Sequence, residues 1–143
     1  MTDQPKKRRL STATLVFFLA LFGFMSILML ATRPPKEVVP WRTDIDKARV
    51  ESRDTGKPLL LYFTAKWCPP CRQMSRTTWA DQKVADALNS VVPLKIDIDE
   101  YKDVAISYQI NAVPTLVLEK SADVSSRREG LITTGQLLEW LRE

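Results

Sequence analysis

Leu59-Leu60-Leu61-Tyr62-Phe63-Thr64-Ala65-Lys66-Trp67-Cys68-Pro69-Pro70-Cys71 is the stretch on which the fold turns. Its first five residues are a continuous apolar run of strand length. That is the pattern of a central strand covered on both faces. Ahead of it, Gly56-Lys57-Pro58 stops a helix that Thr43 is placed to cap at Asp44, with acids in its first turn. Behind it come two cysteines separated by two prolines. Arg72 onward reads as helix to about Thr78, and Asp81 is placed to cap a further helical stretch ending near Leu88.

Working outward, residues 91–98 alternate: Val92, Leu94, Ile96 and Ile98 interleave with Lys95 and Asp97. They read as a second strand. Asp99 is placed to cap a short helix reaching Tyr108. Thr115-Leu116-Val117-Leu118 is a third strand, opened by Val113-Pro114. Ser121-Ala122-Asp123 reads as a turn, and residues 124–129 as an antiparallel edge strand. Thr133 and Gln136 have capping-box spacing ahead of Leu137, Leu138, Trp140 and Leu141, so the last element is an amphipathic helix. No internal repeat or low-complexity segment interrupts the pattern. This order of helices and strands predicts an α/β domain with a mixed central sheet and helices on both faces.

The chain has 143 residues, a formal net charge of +4, two cysteines and no histidine. The absence of histidine excludes His-based metal sites and every Cys-His or Ser-His catalytic pair. Two cysteines are too few for a disulfide framework or for a four-ligand structural zinc site. No metal or cofactor is expected, and nucleophilic chemistry is left to two sulfurs. The charge is unevenly placed. Lys6, Lys7, Arg8, Arg9 and Arg33 stand against Asp3 alone, while the other 110 residues carry sixteen basic and sixteen acidic side chains. The basic balance therefore belongs to the N-terminal end. A neutral domain lacks the cationic face that phosphate binding needs, so nucleic acid is not an expected partner.

Residues 10–31 contain no charged side chain. As a helix they span roughly 33 Å, enough for a hydrocarbon core of about 30 Å. A secretory signal peptide is the competing reading, but its apolar core is shorter, about 7–15 residues, and it ends in a small-x-small cleavage site. Here Met29 stands where the first small residue is wanted, two positions before Ala31. The length and flanks favour an uncleaved anchor. The heavier basic cluster, Lys6 to Arg9, is expected to stay cytoplasmic. That leaves the rest of the chain in the periplasm or an equivalent extracytoplasmic space. The expected organisation is a basic tail at 1–9, a transmembrane anchor at 10–31, a Pro-rich spacer at 32–40 with three prolines, and one domain at 41–143.

Tyr62 to Cys71, Lys95-Ile96-Asp97-Ile98-Asp99, Tyr108-Gln109-Ile110-Asn111-Ala112-Val113-Pro114-Thr115, and Gly130 ahead of Thr133-Thr134-Gly135-Gln136-Leu137 together resemble the thioredoxin superfamily across 41–143. Trp41, Gly56-Lys57-Pro58, Met74, Trp79 and Asp81 resemble more closely the thioredoxin-like domains of bacterial extracytoplasmic reductases. The resemblance implies a thioredoxin-like fold, here preceded by one transmembrane helix, and a redox-active dithiol. Helix-start N–H groups and the positive dipole end favour a thiolate. Cys68 takes that place as the expected nucleophile, and Cys71, on the same helix face, as the resolving thiol. Pro69 and Pro70 fall where helical N–H groups are unpaired in any case.

The resemblance further implies that Pro114 is a cis-proline shaping the substrate groove, with Val113 and Trp67 as groove contacts beside Pro69 and Pro70. Ordinary thioredoxins carry a buried aspartate six residues before the first cysteine; Tyr62 stands there. A phenol, with a pKa near 10, is a poor base at neutral pH. Lys95 occupies the position that partners that aspartate, so proton transfer falls to Lys95 or to water. Lys66 is either an aid to the Cys68 thiolate or a plain surface charge.

The function implied is a monomeric, membrane-tethered thiol–disulfide oxidoreductase that reduces disulfides of exported proteins or apocytochromes. A single span cannot pass electrons, so a membrane reductant conductor is the implied donor. A disulfide oxidase of the same fold is one alternative. A non-catalytic chaperone or binding module using the groove is another.

Overall fold

A computed structural model of the chain describes residues 12–31 and 35–143, in two compact units divided after Pro34. The basic tail expected at 1–9, the first two residues of the expected span and residues 32–34 of the expected spacer lie outside the described residues. The first unit contains α1 (Thr12–Ala31), 20 residues without a charged side chain in its first or last turn. Phe17, Phe22, Ile27 and Leu30 are all exposed, so apolar surface covers every side of the helix. Thr12–Leu30 is long and apolar enough to cross a membrane, a property that signal sequences share.

The second unit holds α2 (Ile45–Thr55), β1 (Leu59–Thr64), α3 (Pro69–Arg76), α4 (Gln82–Ala87), β2 (Val92–Asp97), α5 (Lys102–Ser107), β3 (Thr115–Lys120), β4 (Asp123–Glu129) and α6 (Thr134–Trp140), with single 3-10 turns on either side of α4. The sheet order is β2-β1-β3-β4. β1 runs parallel to β2 and antiparallel to β3, and β3 pairs antiparallel with β4. All six residues of β1 are buried. Alternation then sorts them. Leu60 and Tyr62 join Met74, Trp79, Leu137 and Trp140 on one face, and Leu59, Leu61 and Phe63 join Ala48, Leu94 and Ile96 on the other. Helices therefore cover both faces, which is why β1 lacks a polar alternation.

Local chemistry sets the ends of these elements. Asp44, not Thr43, caps α2: its extended backbone brings the carboxylate 3.0 Å from the Lys47 N–H. Gly56, at φ 67°, closes that helix in the left-handed region. The helix after the dithiol starts at Pro69 rather than Arg72, because both prolines fit its first two positions. Asp81 caps α4 and the Thr133–Gln136 capping box opens α6. Asp99 does not cap α5. Tyr101 is the residue before that helix, and no side-chain cap forms. The β3–β4 hairpin turns through Ser121 and Ala122 at φ 54° and 70°, which matches the twist of its strands.

The expected spacer is shorter than its prolines imply. Residues from Pro35 belong to the second unit. The Val38 N–H donates to the Trp79 carbonyl at 2.8 Å, and Val39 is buried in the α3/α4/α6 layer. Arg42 then bridges Leu94 on the free edge of β2, its N–H donating to the Pro93 carbonyl and its carbonyl accepting from Lys95. Burial of the Val39 side chain, with the Val38 main-chain bond beside it, holds the segment on the domain, while the Val38 side chain stays exposed.

Candidate active site

β1 delivers the chain to the end of the sheet at its own C-terminus, and the following loop turns into α3 with Cys68 as the residue before its first turn. The Cys68 Sγ accepts the Cys71 N–H at 3.2 Å, and the Cys68 carbonyl accepts the Arg72 N–H at 3.2 Å. A sulfur in the N-cap position thus receives a helix N–H that would otherwise be orphaned. Cys71 is one turn further. The two sulfurs are joined in a disulfide, with a Cα–Cα separation of 5.3 Å. Both cysteines are almost fully covered, 1% and 3% exposed, in a small apolar patch with Ala65, Ile98 and Val113.

The Val113–Pro114 peptide bond is cis. Val113 packs on the disulfide patch, and Pro114 is buried with its carbonyl accepting the Gly130 N–H at 2.8 Å. Pro69 is exposed and Pro70 half-buried at the head of α3. Trp67 stands 61% exposed beside them. Its indole N–H donates to Asp99 at 2.9 Å, which is what Asp99 does instead of capping a helix. Lys66 pairs with Glu100 at 2.7 Å, and that carboxylate raises the lysine pKa. Its charge is therefore engaged by Glu100 rather than left free for the sulfurs.

Tyr62 and Lys95 sit together one layer below. They are register partners across β1 and β2, and the Lys95 ammonium stands 5.9 Å from the centre of the Tyr62 ring. Tyr62 is fully buried between Trp41 and Trp79, with ring centres 5.4 and 5.0 Å away. Burial pushes its phenol pKa up. Lys95 donates to both oxygens of Glu37 at 2.9 Å. Sequence reasoning placed Glu37 in a spacer and passed over Ser75 and the Trp67–Asp99 bond. One signal pointed to Glu37. A lysine among buried strand neighbours favours a nearby counter-charge, and Tyr62 does not supply it.

Among the described residues no group of three or more His, Cys, Asp or Glu is arranged to hold a metal ion. What the arrangement can do is exchange a disulfide for two thiols, a two-electron change confined to Cys68 and Cys71.

A four-stranded mixed sheet with a cysteine pair heading the helix after its central strand, and a cis-proline opening the antiparallel strand beside it, defines the thioredoxin-like class of α/β proteins. Residues 42–143 match the thioredoxin family, and the chain belongs to it. Mitochondrial thioredoxin of Mus musculus is 35% identical over 95 residues, 66% of this chain and 55% of that protein. The chain thus spans about half the length of the mitochondrial relatives it matches. A thioredoxin-like protein of Synechocystis sp. is 37% identical over 86 residues, 60% of this chain and 80% of that one. Among solved structures, a poplar thioredoxin h superposes with a TM-score of 0.60 at 27% identity, covering 68% of this chain and 84% of the other. A thioredoxin from Thermus thermophilus superposes at 0.65 with 24% identity, covering 73% and 85%, and shares the fold.

Proposed function

We propose that this chain is a membrane-tethered thiol–disulfide oxidoreductase that reduces disulfides of exported proteins or apocytochromes. The observation that carries the reading is the Cys68–Cys71 disulfide at the head of α3, formed by the only two cysteines of the chain. In the reduced state the Cys68 thiolate attacks a client disulfide. A Cys68–client bond forms, the client S–S bond breaks, and one client thiolate leaves and takes a proton. Cys71, once deprotonated, attacks the Cys68 Sγ. The Cys68–Cys71 bond forms and the second client thiol departs. The client gains two electrons and the dithiol loses two.

Pro114 and Val113 form one wall of the client groove, and Trp67 with Pro69 and Pro70 the other. The packing of Val113 on the disulfide patch and the exposure of Trp67 support this. The domain acts as a monomer. α1 is the anchor and the basic tail stays inside, so the domain works on the outer side of the membrane and a membrane reductant conductor returns it to the dithiol.

The test uses the full chain in detergent micelles with insulin as substrate and a dithiol as reductant. Insulin reduction is expected from the wild type and is expected to be lost in Cys68→Ser. Equal turnover by that variant, or none by the wild type, refutes the reading. Thiol-reactive mass tags applied in cells then give direction. A mostly reduced Cys68–Cys71 pair is expected; a mostly oxidised one favours the oxidase.

A further inference from the structure

The resolving step poses a problem that the two sulfurs do not solve. A cysteine thiol has an ordinary pKa of about 8.5, so Cys71 needs somewhere to leave its proton before it can attack. The chain has no histidine. Tyr62, on the strand below, is a buried phenol shifted further from neutrality. The Lys95 ammonium is engaged, donating to both oxygens of one carboxylate at 2.9 Å.

That carboxylate is Glu37, and it has another partner. The Ser75 hydroxyl lies 2.5 Å from Glu37 Oε1 and 3.2 Å from the Cys71 carbonyl oxygen. Ser75 is four residues after Cys71 and hence on the same face of α3. Glu37 thus abuts the helix turn that carries Cys71. Cys71, Ser75 and Lys95 also line one pocket of about 380 Å³. A volume of that size admits water; Glu37 does not line it and adjoins it through Ser75 and Lys95, which do.

The other charged groups on that pocket are engaged. Asp97 accepts the Asp99 N–H at 3.0 Å. Glu100 is paired with Lys66. The Arg72 guanidinium donates to the Lys66 carbonyl at 3.1 Å, and the Tyr101 hydroxyl to the Thr43 carbonyl at 3.4 Å. Glu37 is the carboxylate that both the Cys71 helix and the half-buried Lys95 hold in place.

We propose that Glu37, from the segment joining the apolar helix to the domain, is the proton acceptor for Cys71. With a client on Cys68, the Cys71 thiol passes its proton through pocket water to Glu37. The resulting thiolate forms the Cys68–Cys71 bond and expels the client thiolate, and the proton leaves to that thiolate or to solvent. When a reductant thiol attacks Cys68 and opens the disulfide, Glu37 takes up the proton that this thiol gives up, by way of solvent, and passes it to the departing Cys71 sulfur. Lys95 and Ser75 are positioning residues that hold Glu37 in reach. The inference rests on the dithiol reading above.

The test is single-turnover release of thionitrobenzoate from the aromatic disulfide dithiobis(nitrobenzoate) by the reduced full chain in micelles. One equivalent leaves as Cys68 attacks and a second as Cys71 resolves. In Glu37→Gln the first release is expected at the wild-type rate and the second about a hundredfold slower at pH 7, within the usual range for a lost general base. The difference should narrow above pH 9, where hydroxide takes the proton, and Glu37→Asp should restore most of the rate. An unchanged second release across pH 6–9 overturns the proposal. The Glu37→Gln, Lys95→Met double variant removes the orphaned ammonium. Slow resolution persisting there supports the proposal; recovery of the wild-type rate overturns it. A wild-type chain that releases no thionitrobenzoate overturns the dithiol reading as well.

Discussion

Tyr62 occupies the centre of the sheet with a hydroxyl that meets Thr64 and Trp79 yet makes no hydrogen bond of good geometry. Trp41 and Trp79 have unpaired indole N–H groups in the same cluster. An unpaired buried hydroxyl costs about 1–3 kcal/mol of desolvation. Its aromatic ring, by contrast, fills the space between two indoles and covers Lys95. Removing only the oxygen should therefore be harmless: Tyr62→Phe is expected to leave the urea midpoint unchanged or raise stability by about 1 kcal/mol, with insulin turnover retained. A loss of turnover at intact stability would assign the phenol a chemical role that its raised pKa argues against. The sequence marks Tyr62 as an odd residue beside a dithiol. It does not reveal the answer to that oddity, because the Glu37–Lys95 contact joins residues 58 positions apart, across α2, β1, α3 and α4. Asp99 was legible as a capping type, but its carboxylate reaches an indole contributed by another loop. Propensity sees only neighbours along the chain.

At the scale of elements, what could be read were features written in consecutive residues: the β1 run, the Thr133–Gln136 box, the left-handed close at Gly56, the turn at Ser121 and Ala122. The errors are displacements of one to three residues. They arise where two residues compete for one role, as Thr43 and Asp44 do for the α2 cap. That cap carries a pH prediction. Asp44 is held below its ordinary value of 3.8, chiefly by the Lys47 backbone N–H. Glu51, later in the same helix, is lowered from 4.5 by the Arg42 guanidinium. A carboxylate depressed in the folded state stabilises fully above its unfolded pKa and loses that contribution as the pH falls through the folded one. Both sites are solvent-exposed, so the effect is small. The wild-type urea midpoint should decline between pH 5 and pH 3. Asp44→Asn should decline less over that window and approach the wild type at pH 3, since Asn still caps but carries no charge. A steeper decline in the variant would count against the assignment.

Across the whole molecule, two kinds of surface divide the chain. One is a charge-balanced domain whose apolar residues are paired off into two layers. The other is a 20-residue helix, about 30 Å long, with apolar side chains exposed on every side. On the anchor reading proposed above, a bilayer covers the second. That same reading orients the chain by Lys6, Lys7, Arg8 and Arg9, because basic residues next to a span resist translocation. Two measurements check this together in an expressing bacterium. The chain should remain in the membrane pellet after carbonate extraction at full length, since an anchor is kept and a signal sequence is cut. Once reduced, Cys68 and Cys71 should react with a membrane-impermeant maleimide in intact spheroplasts. Replacing the four basic residues with Gln and adding four Lys after α1 should invert the chain and hide both sulfurs until the membrane is lysed. A shortened protein in the soluble fraction would show cleavage after the apolar helix. The domain would then be a free reductase, and Glu37 would have to lie within the mature chain for the Cys71 chemistry to survive.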